Sequence, residues 1–225
     1  MNYTSFFQDK RIFIKCFSLS LFLVVMSGSI YAQHPEASTS LFDGKTLNGW
    51  KSFPLDFQNL WKVKDSVIIG GDGKTKIPVN VYLHTEKEYE DFEFRCLFRL
   101  SGDPETGMIN SGIQYRSAIV ENNMVGYQAD IGNGYWGDIY DEHRRAKLIG
   151  GDLSTLRHLL KEDGWNSYIV RCKGNRHELY INGVKTTDYT EEDSNIPSKG
   201  IIAVQLHSGG AAMLELRDIS ISVFE

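Results

Sequence analysis

The residues whose types best suit chemistry lie together in residues 126–145, which read GYQADIGNGYWGDIYDEHRR. This segment mixes glycines, aromatic rings, carboxylates and a pair of arginines. It is too polar for a core strand, and it has too many glycines for a helix. Aromatic rings offer flat faces that stack on sugar rings, and carboxylates and arginines supply proton transfer and charge stabilisation. The mixture therefore predicts a site for a sugar or a sugar derivative.

Three segments of the chain alternate between apolar and polar residues as half-buried β-strands do: SGIQYR (111–116), GYQADI (126–131) and IAVQLH (202–207). If they belong to one sheet, their polar side chains share one face. We call this set the polar platform: Gln114, Arg116, Gln128, Asp130, Gln205 and His207. Amides donate and accept hydrogen bonds at once, which suits sugar hydroxyls. The alternative is that these are ordinary exposed positions of an antiparallel sheet.

The rest of the glycine-rich stretch is predicted to form a loop, or a loop with a short strand, over the polar platform. Its aromatic residues, which would stack on a sugar ring, are Tyr135, Trp136 and Tyr140. Its charged residues are Asp141, Glu142, Arg144 and Arg145. The alternative interpretation of the charged residues is a surface cluster that neutralises itself.

The elements that must position these residues are mostly strands. Alternating or apolar segments at residues 91–100, 165–172, 177–181, 200–207 and 211–224 predict further strands. Asn182-Gly183 predicts a tight hairpin, because both positions of that turn need positive φ. Only residues 154–163 have helical spacing of leucines. The pattern predicts an all-β sandwich of two antiparallel sheets with one short helix.

The bulk properties predict an exported, single-domain protein. Residues 1–32 have basic residues, then an apolar run, then small residues ending at Ala32, which is the order of a cleaved signal peptide. A membrane anchor is the alternative, and we expect no transmembrane segment in the mature chain, which would work in the periplasm or outside the cell. Residues 33–40 are predicted to be a flexible lead-in, and residues 41–225 one domain, as a monomer or small homo-oligomer.

The net charge limits the kinds of binding partner, and the positions of the cysteines bear on whether a disulfide forms. The net charge of −5 gives no basic surface for nucleic acid. Cys96 and Cys172 each lie in a strand pattern, so two buried free thiols are favoured over a disulfide.

Several segments in collinear order resemble the 3-keto-disaccharide hydrolase family. They are LFDGKTLNGWK (41–51), NSGIQYR (110–116), residues 126–145, residues 165–193 and GIIAVQLHSGG (200–210). The resemblance implies a concanavalin A-like jelly-roll sandwich with an active cleft on its concave sheet. It also implies substrates whose sugar carries a ketone at C3.

A C3 ketone makes the hydrogen on C2 acidic, so that a base can remove it and the substituent on C1 can leave by β-elimination. Water can then add, which gives net hydrolysis. We expect His207 to be the base, because its ordinary pKa lies near neutrality, and Asp130 to orient it or to act as the base. Arg144 or Arg145 would stabilise the enolate, and Glu142 or Asp141 would protonate the leaving group. The residues expected to hold sugar hydroxyls are Gln114, Arg116, Gln128 and Gln205.

Three alternatives stay open on the sequence alone. A divalent metal ion, calcium or manganese, would also stabilise an enolate, and Asp130, Glu142 and His207 could hold it. The chain could be a non-catalytic, lectin-like carbohydrate-binding module, because fold does not settle function. An ordinary glycosidase is less favoured, because its two carboxylates would be expected on the platform strands, where only Asp130 is found.

Overall fold

The computed structural model describes residues 37–162 and 164–224. The predicted signal peptide, residues 1–32, lies outside the described residues. Among the residues that are described, no helix has the length and apolar character needed to cross a membrane.

The described chain contains fifteen strands and one short α-helix. In chain order the strands are β1 (Thr39–Ser40), β2 (Trp50–Phe53), β3 (Trp61–Lys64), β4 (Val67–Gly71), β5 (Val81–Tyr89), β6 (Phe92–Asp103), β7 (Asn110–Val120), β8 (Asn123–Gly132), β9 (Ile139–Glu142), β10 (Ala146–Ile149), β11 (Asn166–Lys173), β12 (Arg176–Ile181), β13 (Val184–Thr190), β14 (Gly200–Leu206) and β15 (Ala211–Val223). The helix α1 spans Leu153–Leu156, and short 3-10 helices span Leu55–Leu60 and Pro104–Thr106.

The strands form two antiparallel sheets that face each other across one core. The seven-stranded sheet, which we call the platform sheet, has the order β10-β9-β8-β7-β14-β5-β2. The eight-stranded sheet, which we call the back sheet, has the order β13-β12-β11-β6-β15-β4-β3, with β1 added on β15. Because successive side chains of a strand point to opposite faces, alternate residues of each strand fill the space between the sheets. In β6 these include Phe92, Phe94 and Phe98, which are fully buried. The predicted all-β sandwich of two antiparallel sheets is confirmed.

Two local predictions differ from the structure. The helix predicted over residues 154–163 is limited to α1, because Leu156 reaches the core whereas Leu159 remains 47% exposed. A short helix without a continuous buried face lacks the packing that stabilises helices in proteins. Thr39 and Ser40, at the end of the predicted lead-in, pair with Ile221 and Ser220.

The two described cysteines are free thiols, as the sequence favoured. Cys96 lies opposite Tyr168, and Cys172 lies opposite Phe92, on the paired strands β6 and β11. The two sulfurs are therefore offset by four residues along the strands, which is about 13 Å at strand rise. A disulfide needs Cα atoms less than about 7 Å apart, so this register excludes the bond.

Candidate functional site

The three segments of the polar platform are neighbours in the platform sheet. Strand β7 lies between β8 and β14, with Gln114 opposite both Gln128 and Ala203. The alternate residues of the same strands, such as Ile113 and Val204, are buried in the core between the sheets. Strand alternation therefore places most of the predicted polar side chains on the sheet's outer face.

A pocket of about 210 Å³ opens on this face, and we call it the platform pocket. Its volume is below the range of about 300–1,000 Å³ found for sites that enclose drug-sized ligands, so it suits one sugar ring. Six predicted site residues line it: Gln128, Asp130, Tyr135, Tyr140, Glu142 and His207. Its other lining residues are Asn80, Met108 and Asn110.

A relay of side-chain hydrogen bonds fixes the amide at the pocket floor. The Ser117 hydroxyl donates to Gln114 Oε1 at 2.9 Å, and Gln114 Nε2 donates to Gln128 Oε1 at 2.8 Å. Gln128 Nε2 in turn donates to Asp130 Oδ1 at 2.6 Å. Gln114 is fully buried and does not line the pocket, so it orients Gln128 rather than holding a sugar hydroxyl as predicted.

The floor of the pocket has room for this relay because β7 carries a glycine there. Gly112 lies opposite Asp130. A Cβ atom at Gly112 would stand 2.5 Å from Gln128 Cδ, which is too close for any packed side chain. The glycine is needed for space, since its φ does not lie in the left-handed region.

Asp130 is a carboxyl group that remains protonated at neutral pH. Burial raises its pKa to about 8, and the negative charges of Asp138 and Glu142 add to the rise. The hydrogen bond from Gln128 favours the ionised form but only partly offsets burial. At pH 7 the group can therefore donate a hydrogen bond into the pocket.

Glu142 is the second carboxyl group at the pocket, on β9. Burial raises its pKa as well, while the nearby His143 and His207 and a hydrogen bond from Gln205 act in the opposite direction. Gln205 Nε2 lies 3.4 Å from Glu142 Oε1 and 3.2 Å from the Tyr82 hydroxyl.

Gln205 does not line the pocket but lies fully buried behind Glu142. Its Oε1 atom has no hydrogen-bond partner in the described chain. The predicted role of Gln205 in holding a sugar hydroxyl is thus not supported by its buried position behind the pocket wall.

His207 follows β14 directly and lines the pocket. Its Nδ1 lies 2.7 Å from the carbonyl oxygen of Ser208. Because a carbonyl oxygen only accepts, Nδ1 must carry the proton in this contact, which leaves Nε2 of the neutral ring as a proton acceptor. This is the tautomer that a general base requires when Nε2 faces the substrate.

Arg116 does not belong to the polar platform. The pairing of β7 with β8 shifts register between Tyr115 and Ala118, and Arg116 has φ of 46°. This bulge turns its side chain away from the alternating face. Its guanidinium donates to the carbonyl oxygen of Glu90 and lies 3.3 Å from His177 Nε2, so the alternation prediction is wrong at this residue.

Asp141, Arg144 and Arg145 also lie away from the platform pocket. Alternation in β9 points Tyr140 and Glu142 to the pocket and buries Asp141 on the other side. The Asp141 carboxylate accepts from the Nε atoms of both arginines. Arg145 also donates to Glu191 at 2.6 Å. The predicted enolate-stabilising arginines and the alternative acid therefore form an ion-pair cluster with one another.

Two of the three aromatic residues predicted to stack on a sugar are at the pocket. Tyr135 and Tyr140 line it, whereas Trp136 packs against the core with its ring centroid 6.3 Å from that of Phe98. The alternation of β5 would have indicated the residues that were missed. Val81 is buried in the core, so Asn80 and Tyr82 face the platform side.

No group of three His, Cys, Asp or Glu side chains in the described ranges is arranged to hold a metal ion. Asp130, Glu142 and His207 share the pocket without forming such a ligand set. The metal alternative therefore does not fit these residues as they stand.

The family model described as a 3-keto-alpha-glucoside-1,2-lyase-like domain matches residues 37–222. A search of curated proteins gave no match.

Solved structures share the fold at low sequence identity. A Parabacteroides distasonis protein described as a candidate glycosyl hydrolase has a TM-score of 0.59 at 20% identity, covering 84% of this chain and 95% of that one. The carbohydrate-binding module CBM66 of Bacillus subtilis has a TM-score of 0.58 at 11% identity, covering 77% and 95%. The carbohydrate recognition domain of Emp47p has a TM-score of 0.54 at 13% identity, covering 83% and 94%. The fold is thus the concanavalin A-like jelly roll, as the resemblance implied.

Proposed function

Because the chain belongs to the 3-keto-disaccharide hydrolase family, whose model describes 3-keto-alpha-glucoside-1,2-lyase-like domains, we propose that it cleaves the glycosidic bond of 3-keto-glycosides. The observation that carries the proposal is the content of the platform pocket. One pocket holds a histidine with a free acceptor nitrogen and two carboxyl groups whose pKa values are raised. Such a set suits proton abstraction next to a ketone.

His207 acts as the base in this proposal. Its Nε2 takes the C2 proton, the electron pair of the C2–H bond forms a C2=C3 double bond, and the C3 oxygen becomes an enolate oxygen. The protonated carboxyl of Asp130 donates a hydrogen bond to that oxygen as charge develops on it. Asp130 thereby takes the role that the sequence had suggested for Arg144 or Arg145, which pair with Asp141 instead.

Glu142 acts as the acid. As the C3=O bond re-forms, the electron pair moves into a C1=C2 double bond and the bond from C1 to the leaving oxygen breaks. Glu142 gives its proton to that oxygen, because a raised pKa keeps its carboxyl protonated longer. If water then adds to C1, giving one proton to the Glu142 carboxylate, and His207 returns its proton to C2, the net result is hydrolysis. Tyr135 and Tyr140 offer ring faces to the sugar.

An ordinary glycosidase is a weaker candidate even though the structure adds Glu142 beside Asp130. That mechanism needs one carboxylate ionised and one carboxyl protonated, with pKa values moved apart. Here burial moves the pKa values of both groups in the same direction. A second candidate is a lectin-like binding module, which the likeness to CBM66 and to the Emp47p domain favours at the level of the fold.

The test is product formation from a 3-keto-glucoside and from its unoxidised parent, with the wild-type protein and His207→Ala, each with and without a chelator. We expect cleavage of the keto substrate alone, and a loss of at least about 100-fold in His207→Ala, the scale of general base catalysis. Full activity with the chelator is the expected result, since the pocket lacks a metal-ligating set. Sugar binding without turnover of either substrate would favour the binding module instead.

Export remains a proposal that rests on residues 1–32. Mass measurement of the protein recovered outside the cytoplasm would test it, and removal of the residues up to Ala32 is the expected result.

A further inference from the structure

The loop that carries His207 is attached to the segment before β5. Ile77 donates its N–H to the carbonyl oxygen of Gly210 at 3.0 Å, and Gly209 donates to the carbonyl oxygen of Ile77 at 2.8 Å. These are backbone bonds, so they hold the loop whatever the side chains are. One side-chain bond adds to them: Ser208 N–H donates to Asn80 Oδ1 at 2.9 Å.

That side-chain bond fixes the peptide unit between His207 and Ser208, which directly precedes the peptide unit whose carbonyl oxygen orients the His207 ring. Ser208 is held at its N–H by Asn80, and its carbonyl oxygen accepts from His207 Nδ1. We propose that Asn80 is a positioning residue, which acts through Ser208 to hold His207 in the tautomer with a free Nε2. This inference rests on the proposed function, in which His207 is the base.

Asn80 also lies against the residues that position the acid. Its side chain interacts with the Tyr82 hydroxyl, to which Gln205 Nε2 donates at 3.2 Å. Gln205 Nε2 also lies 3.4 Å from Glu142 Oε1. Asn80, directly before β5, therefore contacts both the chain of groups that ends at His207 and the chain that ends at Glu142.

The experiment compares Asn80→Ala, which removes the acceptor for Ser208, with Asn80→Asp, which keeps it. Asn110→Ala is the matched control, because it removes another amide from the same pocket and leaves the backbone carbonyl of Asn110 in place. The two readouts are the ring ¹⁵N NMR signals of His207, identified with His207→Gln, and the pH dependence of kcat on a 3-keto-glucoside.

In Asn80→Ala we expect loss of the defined Nδ1–H signal and a fall in kcat of about 10- to 100-fold, the scale found when a group that orients a metal-ligating histidine is removed. In Asn80→Asp we expect the Nδ1–H signal to be present as in the wild type, and kcat to be close to the wild-type value. The added carboxylate stabilises the imidazolium form of His207, so the acidic limb of kcat should move to higher pH. Asn110→Ala should keep the wild-type His207 signal.

A wild-type His207 signal in Asn80→Ala would overturn the inference, and so would an equal loss of that signal in Asn110→Ala. If Asn80→Ala does not fold, Asn80→Asp still decides, because an acidic limb at the wild-type pH would contradict it. The NMR readout needs no turnover. If the wild-type protein does not cleave the keto substrate, the proposed function fails, while the His207 signal in the variants still supports or overturns the positioning role.

Discussion

At the scale of single residues, the burial that keeps the Asp130 carboxyl protonated also lowers the stability of the folded protein at neutral pH. Its pKa is about 8 in the folded protein and near 4 in an unfolded chain. Between these values the folded state keeps a proton that the unfolded state releases, so this group lowers stability as pH rises from about 4 to about 8. A neutral amide of the same shape would not titrate and could still accept from Gln128.

Asp130→Asn should therefore raise the free energy of unfolding relative to wild type more at pH 8 than at pH 5. The expected difference between the two pH values is on the order of 3 kcal/mol, since each unit of pKa shift corresponds to about 1.36 kcal/mol. Activity should fall because an amide N–H is a weaker hydrogen-bond donor to the enolate oxygen than a carboxyl O–H. Urea denaturation of both proteins at both pH values measures the effect. An equal change at pH 5 and pH 8 would mean that Asp130 is ionised in the folded protein.

The neighbours Asp141 and Glu142 form a matched pair that separates structure from chemistry. Asp141 is fully buried between Arg144 and Arg145, whereas Glu142 lines the platform pocket. Asp141→Asn leaves Arg144 without its carboxylate partner and Arg145 with Glu191 alone, so we expect a loss of about 3 kcal/mol in unfolding free energy. Its kcat should stay within about tenfold of wild type.

Glu142→Gln should give the opposite result, with stability kept and kcat reduced by about 100-fold or more, as for removal of a general acid. Denaturation and turnover on the 3-keto substrate, measured for both variants, test the pair. A large fall in kcat of a folded Asp141→Asn variant would show that Asp141 and its arginines take part in the reaction.

At the scale of elements, β7 makes room for the relay through Gly112. Gly112→Ala places a methyl group 2.5 Å from Gln128 Cδ, and the amide must leave its bond to Asp130. Overpacking of this kind costs about 1–3 kcal/mol, and activity should fall with it. Gly150→Ala is the control, since its nearest atom, Lys147 Cε, is at 3.5 Å and its φ is not left-handed.

Stability and kcat of the two alanine variants, with a crystal structure of Gly112→Ala, check this prediction. Unchanged activity in Gly112→Ala would show that the Gln128–Asp130 bond is not needed.

The elements also show why the sequence predicted some positions and not others. Alternation depends on a period of two residues, which each strand obeys locally, so the positions of Gln128 and Asp130 were predictable. The hairpin at Asn182-Gly183 was predictable from its turn residues, both of which have positive φ. A bulge changes that period by one residue, and nothing in the composition of β7 marks Arg116 as the place where it occurs. The short strand β9 lies inside a glycine-rich stretch, and it places Asp141 and Glu142 on opposite faces of the sheet. The sequence did not specify which of the two would face the pocket.

At the scale of the whole molecule, the platform pocket lies on central strands rather than at an edge. Strands β8, β7 and β14 occupy the middle of the platform sheet, and their inner residues Tyr127, Ile113 and Val204 form part of the core. The side chains that line the pocket and those that hold the two sheets together therefore belong to the same strands. Opening the pocket floor would require the sandwich to open as a unit.

Ligand binding should consequently raise the stability of both sheets and not of the pocket rim alone. With 3-keto-glucose at 100 times its Kd, we expect a gain of about 2.7 kcal/mol in unfolding free energy. Backbone amides of β6 and β11 in the back sheet should then exchange with deuterium about 100-fold more slowly, as should those of β7 and β8. His207→Ala, which keeps the strands and loses the base, should show the same distribution of protection. Slower exchange confined to residues 132–138 would show that the ligand orders a loop without raising the stability of the two sheets. The prediction that binding stabilises the whole sandwich would then be wrong.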